Sequence, residues 1–350
     1  MSDLQEPNQF PASPTLHQPK DSPVFFGRFG MRAGWGLLIF APLAFLSTLF
    51  GAMMGLVFSG QMHQMIAART AHQTSNISFV PSLAYGQDGI GLAALLLLTW
   101  IFSRAEHRKF AVFGIGKSRI ADFIPGAITG LLAMSVLVFT LRHFGWLVFE
   151  GQSQHGITAF LWGAKWLIAF LFVGLCEEYM FRGYIQYTLM RGVWGLAEKL
   201  SPTNPRPVAF WISACFWSFL FAASHLGNSG ETAIGLVQVA AAGITLAYGL
   251  WRTGSLWWSI GMHTTWDWAQ SFLFGVPDSG SISVGRLFAS HPTGNPMLSG
   301  GTDGPEGSLL GLPVLLLVIL VVHFTMRPGL QPPIEQETIS LPPEHAEPIA

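Results

Sequence analysis

Three short stretches place ionisable side chains inside otherwise apolar sequence. They are Cys176-Glu177-Glu178-Tyr179-Met180-Phe181-Arg182-Gly183, Phe221-Ala222-Ala223-Ser224-His225 and His263-Thr264-Thr265-Trp266-Asp267. On a helix, Glu178 and Arg182 share a face with the acid on the N-terminal side, the better order for a pair. Glu177 is turned about 100° away. One carboxylate is then held by arginine while its neighbour is free to move protons. The same stretch also reads as a charge cluster at a helix end. His225 taken alone reads equally as a hydrogen-bonded packing residue. His263 and Asp267 share a face too, and a carboxylate beside a histidine fixes its tautomer and orientation. Together, a Glu and a His polarise a water, with or without a metal ion. The other His and the Asp then hold a developing oxyanion or complete a metal shell.

Composition names the elements that must position these groups. Half of the residues are apolar and 11% are charged, against about 25% in soluble domains. A bilayer core of about 30 Å needs about 20 apolar helical residues. Eight stretches qualify: 33–59, 88–103, 122–141, 158–179, 207–225, 232–250, 255–274 and 308–326. The expected fold is therefore an all-α, polytopic membrane bundle of about eight helices. The second stretch is short and is expected to begin earlier. Most of the 18 Lys and Arg fall on one side if the N-terminus is cytoplasmic. That bias predicts both termini inside and an even number of spans. The domain layout is a disordered segment 1–32, a membrane domain 33–326 with its polar core at 158–275, and a disordered Pro- and Glu-rich tail 327–350. The polar loops 61–86 and 276–307 are expected outside.

Other classes are disfavoured. A net charge of −1 gives no footprint for nucleic acid. Cys176 and Cys215 sit in apolar stretches and read as small buried residues. No CxxC or HExxH occurs. Gly51/Gly55 and Gly126/Gly130 suit close helix packing. Trp251, Trp257, Trp258, Trp266 and Trp268 suit interfacial belts and packing. The sequon at Asn76 is taken as chance.

Glu177-Glu178 to Arg182, Phe221 to His225 and His263 to Asp267 reproduce, in order, the EExxxR, FxxxH and HxxxN/D motifs of a known group. The chain resembles the CPBP family of intramembrane proteases (CAAX proteases and bacteriocin-processing enzymes, also called Abi). The resemblance implies hydrolysis of a peptide bond in a membrane-associated or lipidated protein or peptide. It implies Glu177 as the base activating water, helped by His225, with Glu178 and Arg182 as a supporting pair. His263 and Asp267 would hold the oxyanion or a metal. A divalent ion such as zinc on His225, His263 and Glu177 and a metal-free glutamate mechanism are both open. Asp267 stands where the eukaryotic enzymes have Asn, and an ionised Asp would repel an oxyanion. The rivals are a catalytically silent scaffold or immunity-type protein of the same fold, and a transporter with a proton relay. The expected helix ends leave a conflict, because they put Glu177 and His225 about 20 Å apart in depth.

Overall fold

The structure is a computed structural model that describes residues 24–27, 30–70, 77–228, 230–332 and 334. Most of the expected N-terminal segment, the Asn76 sequon and the distal tail lie outside the described residues. Two short strands, β1 (Phe26–Gly27) and β2 (Gly30–Met31), pair antiparallel and lead into α1 (Ala33–Phe58). Next come α2 (Pro81–Ala105) and α3 (Phe123–His143). Strand β3 (Leu147–Gln152), α4 (Gly156–Arg182), α5 (Tyr184–Gly192), α6 (Pro205–Ser224), α7 (Ala233–Thr253) and α8 (Trp257–Trp268) follow. Strand β4 (Phe288–Pro292) pairs antiparallel with β3, and α9 (Gly311–Thr325) closes the bundle.

The protein is a polytopic helical membrane bundle. Among the described residues, six segments are long and apolar enough to cross a bilayer: α1, α2, Phe110–His143, Gly156–Gly192, α6 and α7. The other two expected spans are shorter helices. Helix α8 is prolonged by a π turn over Ala269–Leu273, and α9 has 15 residues. The second span starts at Pro81 because Tyr85–Ile90 continue the helix as a π turn. The fourth does not stop at residue 179. It runs to Arg182, breaks at Gly183 and resumes as α5. A side chain at Gly183 would meet the Tyr179 carbonyl at 2.3 Å, so the break needs a glycine.

Helix α8 is held centrally by backbone approach. A Cβ on Gly126 or Gly130 of α3 would lie 2.1 Å from the Trp258 or Met262 carbonyl, and one on Gly174 of α4 would lie 2.8 Å from Thr264 Oγ1. Hydroxyls reinforce the seams: Thr265 donates to the Ala127 carbonyl (2.6 Å) and Ser259 to the Leu246 carbonyl (2.8 Å). These hydroxyls can reach across only because the helices nearly touch, which is how small residues pack membrane helices.

Loops join where they were expected to share a side. Val284 N donates to the Phe79 carbonyl (3.0 Å), tying 276–307 to the loop before α2. Both described termini lie at the opposite end. Gly30 rests against Glu106 beyond α2, and Arg119 donates to the Arg327 carbonyl (3.2 Å). The first residues of the expected tail are fixed. Gly329 N bonds the Arg252 carbonyl (2.9 Å) and Arg206 reaches the Pro332 carbonyl (3.1 Å). Half-buried cations at this end thus find backbone acceptors in the tail. Arg108 and Arg191, which the sequence suggests are loop cations, are buried. Both donate to Glu106, at 2.8 and 3.3 Å, and Tyr184 OH donates to it as well. Cys176 is buried as expected, but Cys215 is exposed, because its face of α6 turns outward from the bundle.

Packing through glycine makes a sign prediction. A helix-interior Gly→Ala change normally stabilises by about 1 kcal/mol. At Gly130 the added methyl overpacks the α3–α8 seam, costing about 1–3 kcal/mol. Gly130→Ala lowers the melting temperature in detergent. Gly34→Ala in α1, with nothing within 4 Å of its added carbon, does not.

Candidate active site

Helix α4 brings Glu177, Glu178 and Arg182, α8 brings His263 and Asp267, and His225 follows α6. Glu178 is fully buried and its Oε1 accepts from Arg182 Nη1 at 2.9 Å. The same oxygen lies 3.0 Å from His263 Nδ1. A carboxylate can only accept, so Nδ1 carries a hydrogen in this pairing. The other ring nitrogen, Nε2, faces Asp267 Oδ2 at 3.4 Å and Glu177 Oε2 at 3.7 Å. Arg182 also donates to the Gly243 carbonyl (3.3 Å), and its guanidinium lies 4.7 Å from the centre of the Phe221 ring. Five of the six expected site residues therefore form one connected cluster.

Glu177 is about one-third exposed (32%), whereas its neighbour is sealed. The 100° rotation between them points Glu177 into a cavity of about 340 Å³ that His225, His263 and Asp267 also line. The depth conflict disappears because the fourth span continues through α5. The Phe181 and Phe221 rings meet with centroids 5.1 Å apart, so the end of α6 is level with the end of α4. His225 sits apart from the ion cluster, with the Phe221 ring between the two histidines, 4.8 Å from His225 and 6.4 Å from His263. Its Nδ1 lies 2.8 Å from the Phe221 carbonyl and donates to it, which leaves Nε2 as the acceptor of the neutral ring.

The cavity has walls that motif spacing does not reveal. Asp88, on the π turn of α2, is buried and lines it, as do Gln238 of α7 and Asp278 and Glu306 from the loop 276–307. The signal for Asp88 was an acid next to the apolar run of α2. Nothing near Asp278 or Glu306 in sequence marks them. Of the tryptophans considered, Trp266 lines the cavity, whereas Trp258 is fully buried in the packing.

Among the described residues no three His, Cys, Asp or Glu side chains converge to hold a metal. Both nitrogens of His263 face carboxylates, and the Nδ1 of His225 is engaged by the main chain. The residues as placed do not fit a zinc shell on His225, His263 and Glu177.

Residues 159–269 match the family described as type II CAAX prenyl endopeptidase Rce1-like. That span contains all three motifs and all six expected site residues. The resemblance read from the motifs is thus borne out for this part of the chain, and it supports a CAAX-type membrane protease in general. No curated protein and no solved structure matches the chain.

Asp278 lies outside the spans and yields a pH test. Burial pushes its carboxyl up to about 6, opposed by the hydrogen bond from Ser271 (2.6 Å) and by the nearby histidines His263 and His225. Glu177 raises it further, and Glu306 also faces it. A carboxyl whose folded value is raised stabilises the fold while protonated, and that contribution is lost as pH climbs through about 6. Asp278→Asn keeps an acceptor for Ser271 and cannot ionise. Its melting temperature exceeds wild type at pH 8, and the gain shrinks towards pH 4. A gain that grows on acidification contradicts the assignment.

Proposed function

We propose that the chain is an intramembrane endopeptidase that cleaves a membrane-associated or lipidated peptide with water activated by Glu177. One observation carries this reading. Of two adjacent glutamates, Glu178 is sequestered by Arg182 and His263, while Glu177 opens into the cavity within 3.7 Å of the same histidine. A sealed acid next to an open one is the division of labour that water activation requires.

In this mechanism Glu177 takes a proton from water as the oxygen adds to the peptide carbonyl. His225, across the cavity, helps to orient that water. Glu178 fixes the imidazole of His263, and Asp267 turns towards its Nε2. His263 is then placed to exchange the proton collected by Glu177 with the departing nitrogen as the C–N bond breaks. An Asp turned towards His263 need not face the oxyanion, which removes the objection to Asp at that position. Arg182 gives Glu178 a hydrogen-bonding partner where no solvent reaches. The reading needs no metal. The loop charge bias supports cytoplasmic termini, with the cavity walled by the loop 276–307 on the other side.

Glu177→Gln preserves shape and removes the base. Peptide cleavage by purified protein in lipid falls about 10²- to 10⁴-fold, the usual range for a lost general base, with the melting temperature within about a degree of wild type. Arg182→Ala behaves differently. It strands a buried carboxylate at a cost of about 3–5 kcal/mol, so the folded yield itself drops. Undiminished cleavage by Glu177→Gln sinks the assignment. A wild type that never cleaves, with a cellular phenotype surviving Glu177→Gln, moves the chain to the scaffold class.

A further inference from the structure

The cavity is chemically one-sided. Its ionisable lining consists of the acids Asp88, Glu177, Asp267, Asp278 and Glu306 and the two histidines; no Lys or Arg lines it among the described residues. Arg182, which is bonded to the ion cluster, is 2% exposed and already engaged by Glu178 and the Gly243 carbonyl. Arg286, in the adjoining loop, donates to the Gly275 carbonyl (3.1 Å). An incoming carboxylate would meet a wall of carboxyl groups in a site of low dielectric and find no Lys or Arg to bind it. His263 already faces Glu177, Glu178 and Asp267.

The cavity also holds an unanswered amide. Gln238 of α7 lines it, is 2% exposed, and neither its side-chain nitrogen nor its oxygen has a partner. A buried polar group left unpaired costs about 1–3 kcal/mol, and a peptide group offers the complementary donor and acceptor. Gln238 therefore points to extended backbone as the occupant, independently of the charge. The remaining wall, with Phe170, Val239, Leu246 and Leu315, suits aliphatic stem atoms.

We propose, resting on the endopeptidase reading above, that the cavity selects an internal peptide bond next to a Lys or Arg side chain. That cation is received by Asp278 and Glu306, and Gln238 pairs with the neighbouring backbone. A chain end carrying a free carboxylate, such as the last residues of a C-terminal CAAX sequence, is disfavoured. Both acids are built to wait for a cation. Asp278 already accepts from Ser271, and Glu306 from the Ser279 amide and hydroxyl (3.1 Å for the hydroxyl). Each also has a second oxygen left for a ligand.

The test uses full-length protein in nanodiscs and short N-acylated, C-amidated alanine-based peptides with Lys, Met or Glu at one central position. A fourth peptide has Met there and a free C-terminal acid. Equilibrium binding reads the inference and cleavage reads the enzyme. The Lys peptide binds about tenfold tighter than the Met peptide, equivalent to about 1.4 kcal/mol; the Glu and free-acid peptides bind weakest. Asp278→Asn and Glu306→Gln, which keep their acceptor oxygens, each narrow the Lys-to-Met ratio. Glu150→Gln, at an exposed acid on β3, leaves it unchanged. Gln238→Leu weakens binding of the Lys and Met peptides alike. Equal binding of Lys, Met and Glu peptides, tightest binding of the free acid, or a Lys-to-Met ratio indifferent to both acid variants overturns the proposal. Charge-selective binding without cleavage of any peptide upholds it while removing the endopeptidase reading; cleavage without charge preference does the reverse.

Discussion

A charge inside a lipid-embedded bundle has no water to fall back on, so its partners must be built before it is tolerable. The chain from Arg182 through Glu178 to His263 meets that condition across two helices. It ties α4 to α8 with directional bonds, where apolar side chains alone would let the helices slide. Arg182 and His263 both meet Oε1 of Glu178, and the Gly243 carbonyl of α7 takes a further guanidinium hydrogen. Three helices are thereby fixed in rotation about the point where Glu177 emerges. The free glutamate is defined by the bound one. Remove the pair and the distinction between the adjacent acids goes with it.

That chain works because α8 can come close. Glycines on α3 and α4 let its backbone approach at positions where any side chain would collide. Apolar content had less to do with the placement of α8, which is too short and polar to stand among the clear membrane spans. It is a guest of the bundle, enclosed by longer helices that face lipid. A short central helix carrying His263 and Asp267 need not satisfy both the bilayer and the chemistry, since its neighbours meet the lipid for it.

The sequence was most legible where physics is local. Apolar runs located the helices to within a few residues, and four-residue spacing correctly paired Glu178 with Arg182 and His263 with Asp267. The turn between adjacent residues also separated the sealed glutamate from the open one. Legibility failed where long-range packing decides. The expected stop at residue 179 hid a helix that continues past the break at Gly183, and with it the common depth of Phe181 and Phe221. Asp278 and Glu306 reach the cavity only because the loop 276–307 folds back over it, and no periodicity in a Gly- and Ser-rich loop foretells that. Arg191 looked like an ordinary loop cation because its acceptor, Glu106, lies 85 residues away in sequence. Cys215 was misplaced for a simpler reason: in a membrane protein an apolar neighbourhood does not distinguish the interior from the lipid face.

Two π turns flank the cavity, Tyr85–Ile90 with Asp88 at its middle and Ala269–Leu273 just after Asp267. Such a turn is a helix carrying one residue too many, and it occurs mainly where function maintains it. The wide turn absorbs the excess locally. Deleting one residue from either turn would leave a regular helix whose two ends keep nearly the same direction, while the side chains of the turn itself change the face they present. Asp88, inside the first turn, would lose its place on the cavity. Among relatives of this chain, a single-residue gap at the first turn would therefore mark a change of cavity lining even where all three motifs are intact.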